Sequence, residues 1–327
     1  MNRFCSFIAL AIAFLTVFSV QVKAQSVADF PSKPIRIVVP FTAGGPADSV
    51  TRFVGQWLAD AWKQSVVVEN RPGAGGMIGA DIVAKAPPDG YTLVLLVTGH
   101  TILPAMRTKP PYDVMRDFSP ITIINRAPKV VVVNPAVPAR SLRELIDLQK
   151  REPAKYSAYG TSGVASMANL SMELVNQLAG TQFQHVAYKG GAATITDLLG
   201  GQLPFGVLDL GSVLAQVNAG KLRVLAITSK NRSPVLPDVA TISETLGTFE
   251  AAEWFGLVAP RGVPREIITK YEQEIRRALQ SPAAKAKYAD PLGWEMVAST
   301  PEEMEAVIDS QTRKWGDLVR TLGLKLD

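Results

Sequence analysis

Two glycine-rich loops carry residues that could bind an anion. The first spans residues 40–48 (PFTAGGPAD) and the second spans residues 159–166 (YGTSGVAS). Glycine lets backbone N–H groups approach a ligand closely, and a following helix N-terminus supplies unpaired N–H donors at its positive end. Either loop alone could be an ordinary turn. Two of them, in separate halves of the chain, predict that a small acid is held between the halves.

The nearest enzyme motif is incomplete. Residues 159–164 resemble the turn that exposes a serine nucleophile, but that motif ends in glycine and Val164 stands there. A hydrolase would have to pair Ser162 with His100 or His185, and no sequence spacing supports such a triad. An exported hydrolase is therefore the least favoured hypothesis, and we expect the protein not to be an enzyme.

Cofactor and metal signatures are also incomplete. Residues 73–79 read GAGGMIG, whereas a dinucleotide fingerprint has the spacing G-x-G-x-x-G and an acid after the next strand. This pattern favours a tight chain reversal. One cysteine (Cys5) and two histidines give no cluster of metal ligands. We expect no cofactor and no metal.

Alternating strand and helix patterns position these loops. The β-branched run 35–39 precedes the first loop, and apolar residues recur at helical spacing from residue 50 to residue 61, with Asp48 or Ser49 as the expected N-cap. Similar units follow, and helices are expected at 265–279 and, capped by Thr300, up to 322. The alternation predicts an α/β protein with mainly parallel sheets covered by helices.

Length and charge restrict the class of protein further. The 327 residues suffice for about two domains. A net charge of +5 is small for this length, so no nucleic-acid partner is expected. Arg3, an apolar run at 4–20 and the small residues around Ala24 predict a signal peptide at 1–24 and export to a periplasm. The alternative is a membrane anchor, for which the run is at the lower length limit.

Strings spread along most of the chain carry a family resemblance. They are FPSKPI (30–35), the first loop, VENRPGAGG (68–76), PDGYTL (88–93), VAYKGG (186–191), DLLGGQ (197–202), AGKLR (219–223), RSP with LPDV (232–239) and WFGL (254–257). In this order they resemble the receptors of tripartite tricarboxylate transporters, the Bug-type periplasmic substrate-binding proteins.

The resemblance implies a type II periplasmic-binding fold, in which two α/β lobes are joined by crossing strands, here 129–134 and 254–259, with a ligand cleft between them. Lobe one would comprise 26–127 and 252–327, and lobe two 128–251. Such a receptor binds a small carboxylate and delivers it to membrane subunits of the transporter. The alternative partner is a sensor protein of a signalling system. We expect a monomer.

The resemblance also implies a set of ligand contacts, mostly backbone amides and hydroxyls. These are Phe41, Thr42, Ala43, Gly44, Gly45 and Asp48 in the first loop, Gly99 and His100 after the third strand, Tyr159, Gly160, Thr161, Ser162 and Ser166 in the second loop, and Asp209. Asp48 is expected to order its loop and cap the helix rather than touch an anion. Asp209 could select a hydrogen-bond donor on the ligand.

Four places depart from the pattern that is common in the family. Leu103 stands where asparagine is common, Asn169 where histidine is common, and Ala165 where glycine is usual. Residues 210–212 (LGS) differ from the proline-containing string that is common after Asp209. These changes are expected at the cleft or its rim. They leave open which group lies at the far end of the ligand.

Overall fold

The computed structural model describes residues 29–163, 166–188 and 190–325. Its strands are β1 (Ile35–Val39), β2 (Val66–Asn70), β3 (Thr92–Val97), β4 (Phe118–Ala127), β5 (Lys129–Val133), β6 (Ala158–Thr161), β7 (Gln184–Ala187), β8 (Phe205–Asp209), β9 (Arg223–Ile227), β10 (Glu253–Pro260) and β11 (Glu295–Met296). The predicted signal peptide at 1–24 lies outside the described residues.

Helices cover both faces of the sheets. They are α1 (Pro46–Trp62), α2 (Met77–Ala84), α3 (Gly99–Ile102), α4 (Leu142–Arg151), α5 (Pro153–Tyr156), α6 (Met167–Ala179), α7 (Gly191–Leu199), α8 (Leu210–Asn218), α9 (Ile242–Leu246), α10 (Arg265–Leu279), α11 (Pro282–Ala284), α12 (Asp290–Leu292) and α13 (Pro301–Leu322). Among the described residues, no helix combines the length and apolar composition needed to cross a membrane.

The strands form two separate sheets. One has the order β11-β4-β10-β3-β1-β2 and the other the order β7-β6-β8-β5-β9. We call the parts of the chain built on them the first lobe and the second lobe. The two-lobed α/β architecture expected from the sequence is confirmed. The expectation of mainly parallel sheets is wrong, because β10 and β5 run antiparallel to the neighbours on both of their sides.

The chain passes between the lobes at two adjacent places. Only Pro128 separates β4 from β5, and the return runs from the end of β9 to the start of β10. The backbone N–H of Thr228 donates to Lys129 O, and the Thr228 hydroxyl accepts from Lys129 N, both at 2.9 Å. The predicted crossing strands each lie within one sheet, and the passage occurs in the residues just before them.

The strand ends that meet at this junction define where a ligand could bind. In the first sheet, β1, β3 and β4 end at the edge where β10 begins; in the second sheet, β6 and β8 end where β5 begins. In open α/β sheets, ligands bind outside the carboxyl ends of the strands. Both glycine-rich loops follow strands that end at these two edges.

Helix α13 belongs to the cores of both lobes. Near its start, Met304 and Ile308 are buried against the first sheet. Two turns further on, Trp315 is fully buried in the cluster that contains Tyr159 and Phe205 of the second lobe. The last helix therefore reaches the junction, where Lys314 Nζ donates to Glu250 O shortly before β10 begins.

Candidate ligand-binding site

A cavity of about 390 Å³ lies between the lobes, a volume within the range of small-molecule sites. The first lobe lines it with Phe41, Thr42, Gly45, Pro46, Ala47, Val97, Ala127, Glu253, Phe255, Leu292 and Trp294, and the second lobe with Asp209, Gly211 and Ser212. Most of these groups are apolar, so the few polar groups among them decide what the cavity can bind.

The N-terminus of α1 forms one wall. Gly45 is the N-cap, Pro46 takes the first helical position, and no side chain caps the helix. The predicted cap at Asp48 or Ser49 is wrong because proline fits the first turn, where its missing N–H costs nothing, and so the helix begins earlier. The result is a helix of 17 residues whose positive end borders the cavity.

Asp48 fixes the conformation of the first loop through hydrogen bonds to its side chain. Its buried carboxylate accepts hydrogen bonds from Gly44 N at 2.9 Å, Asn70 Nδ2 at 2.9 Å and Arg52 Nε at 3.0 Å. Burial alone would raise the pKa of Asp48, but the hydrogen bonds from Arg52, Gly44 and Asn70 outweigh burial and lower it to about 2. Asp48 is therefore ionised and occupied with the loop.

Aromatic rings form the floor of the cavity. Trp294 stacks on Phe255 with ring centroids 5.5 Å apart, and Tyr288 stacks on Trp294 at 5.4 Å. Phe41 faces the cavity from the first loop. Such rings offer an apolar surface to the body of a ligand.

His100 supports the site from behind Phe41. The imidazole is fully buried, meets the Phe41 ring edge to face at 5.9 Å, and accepts a hydrogen bond from Val97 N at its Nδ1 at 3.0 Å. Burial lowers the pKa of His100 to about 4, although the backbone at Val97 and Gly76 acts in the opposite direction. His100 is thus a neutral residue that positions Phe41, whereas the sequence predicted that His100 lies at the edge of the cleft.

A charged triad borders the cavity at the junction of the lobes. Lys129 Nζ donates to Asp209 Oδ1 at 2.5 Å and to Glu253 Oε2 at 2.6 Å. Burial would lower the pKa of Lys129, but the charges of Asp209 and Glu253 outweigh burial and raise it. The ammonium is buried below the cavity, whereas both carboxylates line it.

The second lobe closes the cavity with the start of α8. The Ser212 hydroxyl donates to Asp209 O at 2.7 Å. A Cβ on Gly211 would come within 2.9 Å of Leu292 Cδ2 in the first lobe. The two lobes therefore touch at this point, and only glycine permits so close an approach.

The structure brings together only some of the residues predicted from the sequence. Phe41, Thr42, Gly45 and Asp209 line the cavity, whereas Ala43, Gly44, Asp48, Gly99 and His100 flank or support it. None of the five second-loop residues lines it: Tyr159 is core, Gly160 and Thr161 belong to β6, Ser162 is exposed and Ser166 caps α6. The strand predicted at 156–159 begins two residues later because Pro153 starts a helical turn.

Packing explains the second-loop positions. The Tyr159 hydroxyl donates to Glu173 Oε1 at 3.1 Å and accepts from Asn169 Nδ2 at 2.9 Å. The Thr161 hydroxyl lies 2.7 Å from His185 Nε2. Among the described residues, Ser162 has no hydrogen bond to either histidine, so the arrangement a hydrolase would need is not assembled.

Two of the four departures from the family pattern lie in packed positions, and a third, at residues 210–212, places Gly211 and Ser212 in the cavity wall. Leu103 contacts the loop at Gly75, where a Cβ would come within 2.6 Å of Leu103 Cδ1. Asn169 is buried beside Tyr159. Ala165 lies outside the described residues. Leu103 and Asn169 are therefore not part of the cavity wall.

Sequence reasoning missed several lining residues. Glu253, Phe255, Leu292 and Trp294 all come from the C-terminal return into the first lobe. The string WFGL at 254–257 predicted a strand and carried the family resemblance, but it gave no sign that this strand lines the ligand cavity. The two-residue offset between Glu253 and Phe255 places both side chains on one face of β10, and that alternation is the signal that could have paired them.

A two-lobed α/β fold with a cavity between the carboxyl ends of its sheets defines a solute-binding protein of the periplasmic type. Residues 50–324 match the model of the tripartite tricarboxylate transporter family receptor. BugT of Bordetella pertussis is 36% identical over 326 residues, which cover 97% of this chain and 98% of BugT.

Solved structures agree with this match. The structure of R. palustris Rpa4515 with adipate is 32% identical, has a TM-score of 0.76, and covers 91% of this chain and 99% of its own. MatC from Rhodopseudomonas palustris with bound malate is 28% identical and has a TM-score of 0.72, and the match covers 89% of this chain and 100% of the MatC chain. This chain belongs to the tripartite tricarboxylate transporter receptor family, a family of periplasmic solute-binding proteins.

Proposed function

We propose that this protein is a periplasmic receptor that binds a small carboxylate between its lobes and delivers it to the membrane subunits of a tripartite tricarboxylate-type transporter. The observation that carries the proposal is the uncapped N-terminus of α1 at the wall of the interlobe cavity. Backbone N–H donors at the positive end of a helix suit a carboxylate without any cationic side chain. Adipate and malate, the ligands of two solved relatives, are carboxylates.

The contacts follow from the same geometry. The Thr42 hydroxyl and the backbone N–H groups of Gly45 and Ala47 hold the carboxylate, and Phe41 and Trp294 contact the ligand body. Lobe one comprises 26–127 and 252–327, lobe two comprises 128–251, and residues 1–24 direct export. The lobes close around the ligand by rotation about the two strand passages. In the closed form, the exposed Ser162, which directly follows β6, reaches the ligand.

Thermal unfolding with a panel of mono-, di- and tricarboxylates and aromatic acids tests the proposal. A ligand present at 100 times its Kd adds about 2.7 kcal/mol, which raises the melting temperature by roughly 5–10 °C. Replacing Thr42 with valine should weaken binding without lowering the melting temperature of the free protein. If no carboxylate in a broad panel shifts the melting temperature, the proposal is wrong.

Measuring ligand uptake by cells distinguishes a transport receptor from a sensor. A strain that lacks the protein should lose uptake of the ligand found in the panel, and the intact gene should restore it. Unchanged uptake together with tight binding would instead favour the sensor alternative.

A further inference from the structure

The cavity is lined by two groups of opposite electrostatic character. One is the positive end of α1. The other is formed by Asp209 and Glu253, whose two negative charges share the single ammonium of Lys129. One negative charge therefore remains uncompensated within the triad. Because Lys129 is buried and only the carboxylates line the cavity, a ligand meets the negative charge directly.

Each carboxylate keeps an oxygen for a ligand. Lys129 engages Asp209 Oδ1 and Glu253 Oε2, and no residue in the described ranges donates to Asp209 Oδ2 or Glu253 Oε1. The Glu253 side chain is 23% exposed and that of Asp209 is 53% exposed, so both reach the cavity. An ionised carboxylate only accepts hydrogen bonds. The matching group on a ligand is thus a donor.

The neighbouring rings favour the same kind of group. Phe255 follows Glu253 on the same face of β10, and Trp294 stacks on Phe255. An apolar surface beside two carboxylates lowers the local dielectric and so strengthens their attraction for a cationic nitrogen. A second carboxylate at this place would meet a like charge in a partly dry site, which is unfavourable.

We propose that the ligand is zwitterionic: its carboxylate lies at the N-terminus of α1, its apolar body lies on Trp294 and Phe255, and a protonated amine lies between Asp209 and Glu253. This inference rests on the proposed function and narrows it from carboxylates in general to amino acids and related compounds. Simple di- and tricarboxylates are poor ligands for this chain.

Matched ligand series test the inference by calorimetry on the intact mature protein. One series is hexanoate, 6-aminohexanoate and adipate, another is 4-methylbenzoate, 4-(aminomethyl)benzoate and terephthalate, and further series vary chain length and include α-amino acids. In the series that fits the cavity, the ammonium member should bind at least about tenfold more tightly than both partners, a difference of roughly 1.4 kcal/mol.

Asp209→Asn supplies the second measurement, because asparagine can still accept from Lys129 while the charge is lost. It should weaken binding of the best ligand about tenfold, whereas Asp60→Asn on the exposed far end of α1 should leave binding unchanged. The inference is overturned if a dicarboxylate binds best, or if Asp209→Asn leaves or raises the affinity of the best ligand. In those cases the carboxylate receptor still stands. If no member of any series binds, this inference fails, and the broad panel of carboxylates then decides the proposed function.

Discussion

Lys129 of β5 donates to Glu253 of β10 across the junction of the two lobes, with Nζ 2.6 Å from Oε2. The two residues are 124 positions apart in sequence, yet each directly follows one of the two passages between the sheets. The ion pair therefore ties the lobes together at the point about which they would rotate, and it lies directly under the cavity.

Removing the ammonium should be costly. Lys129→Met leaves Glu253 and Asp209 close together without a counter-charge, so we expect the free energy of unfolding to fall by about 3 kcal/mol or more. Urea unfolding at neutral pH measures this loss. Lys33→Met is the matched control, because its partner Asp89 and Lys33 itself are largely exposed, and it should cost less than about 1 kcal/mol. Equal losses for the two variants would contradict a special role for the junction.

Asp48→Ala should loosen the first loop in a pH-dependent way. The pKa of Asp48 is lowered to about 2 in the folded protein, so its stabilising effect is complete above pH 4 and disappears as the pH falls toward 2. At neutral pH the variant should lose about 2 kcal/mol, and at pH 3 about half of that. Ligand affinity should fall too. Asp60→Ala should show neither effect, and a loss that does not vary with pH would argue against an ionised Asp48.

His100 should make the protein sensitive to mild acid. Its pKa is lowered to about 4, so the unfolded chain takes up a proton below pH 6.5 while the folded protein does not. Stability should therefore fall as the pH drops from 6.5 toward 4. Between pH 7 and pH 4.5 the native protein should lose about 2 to 3 kcal/mol more than His100→Asn, which cannot titrate. Parallel pH curves would show that the imidazole is not held neutral.

Gly76→Ala should disturb the cavity through His100. Gly76 has φ of +100° and an added Cβ would come within 2.7 Å of His100 Nε2. We expect a loss of stability of at least about 2 kcal/mol and weaker ligand binding, because the imidazole presses on Phe41. Gly180→Ala is the control: Gly180 has φ of +60°, and a Cβ added there would have no neighbouring atom within 4 Å. It should cost only about 1 kcal/mol and leave affinity unchanged, which separates backbone strain from displacement of the ring.

Local patterns predicted much of the fold. The apolar runs at β1 and β10, the helical repeat of α10 and the cap at Thr300 all lie within a residue or two of their predicted positions. Strand β4 was missed, because Pro120 and Asn125 interrupt its apolar residues and it is buried on both faces, so it shows no alternation.

The site was less predictable than the fold. A loop before a helix could be recognised as an anion site from local glycine and proline alone. The triad of Lys129, Asp209 and Glu253 depends on where two distant passages meet, and the stacked floor depends on how the return from the second lobe packs. No local pattern in one sequence contains that information.

The course of α13 has a consequence for engineering the C-terminus. Its first turns pack on the first sheet, and Trp315 completes the core of the second lobe. A truncation that removes Trp315 would leave a hole in a cluster that contains residues of both lobes, among them Met106 of the first and Phe205 of the second. Shortening the C-terminus is therefore expected to weaken the packing of both lobes at once.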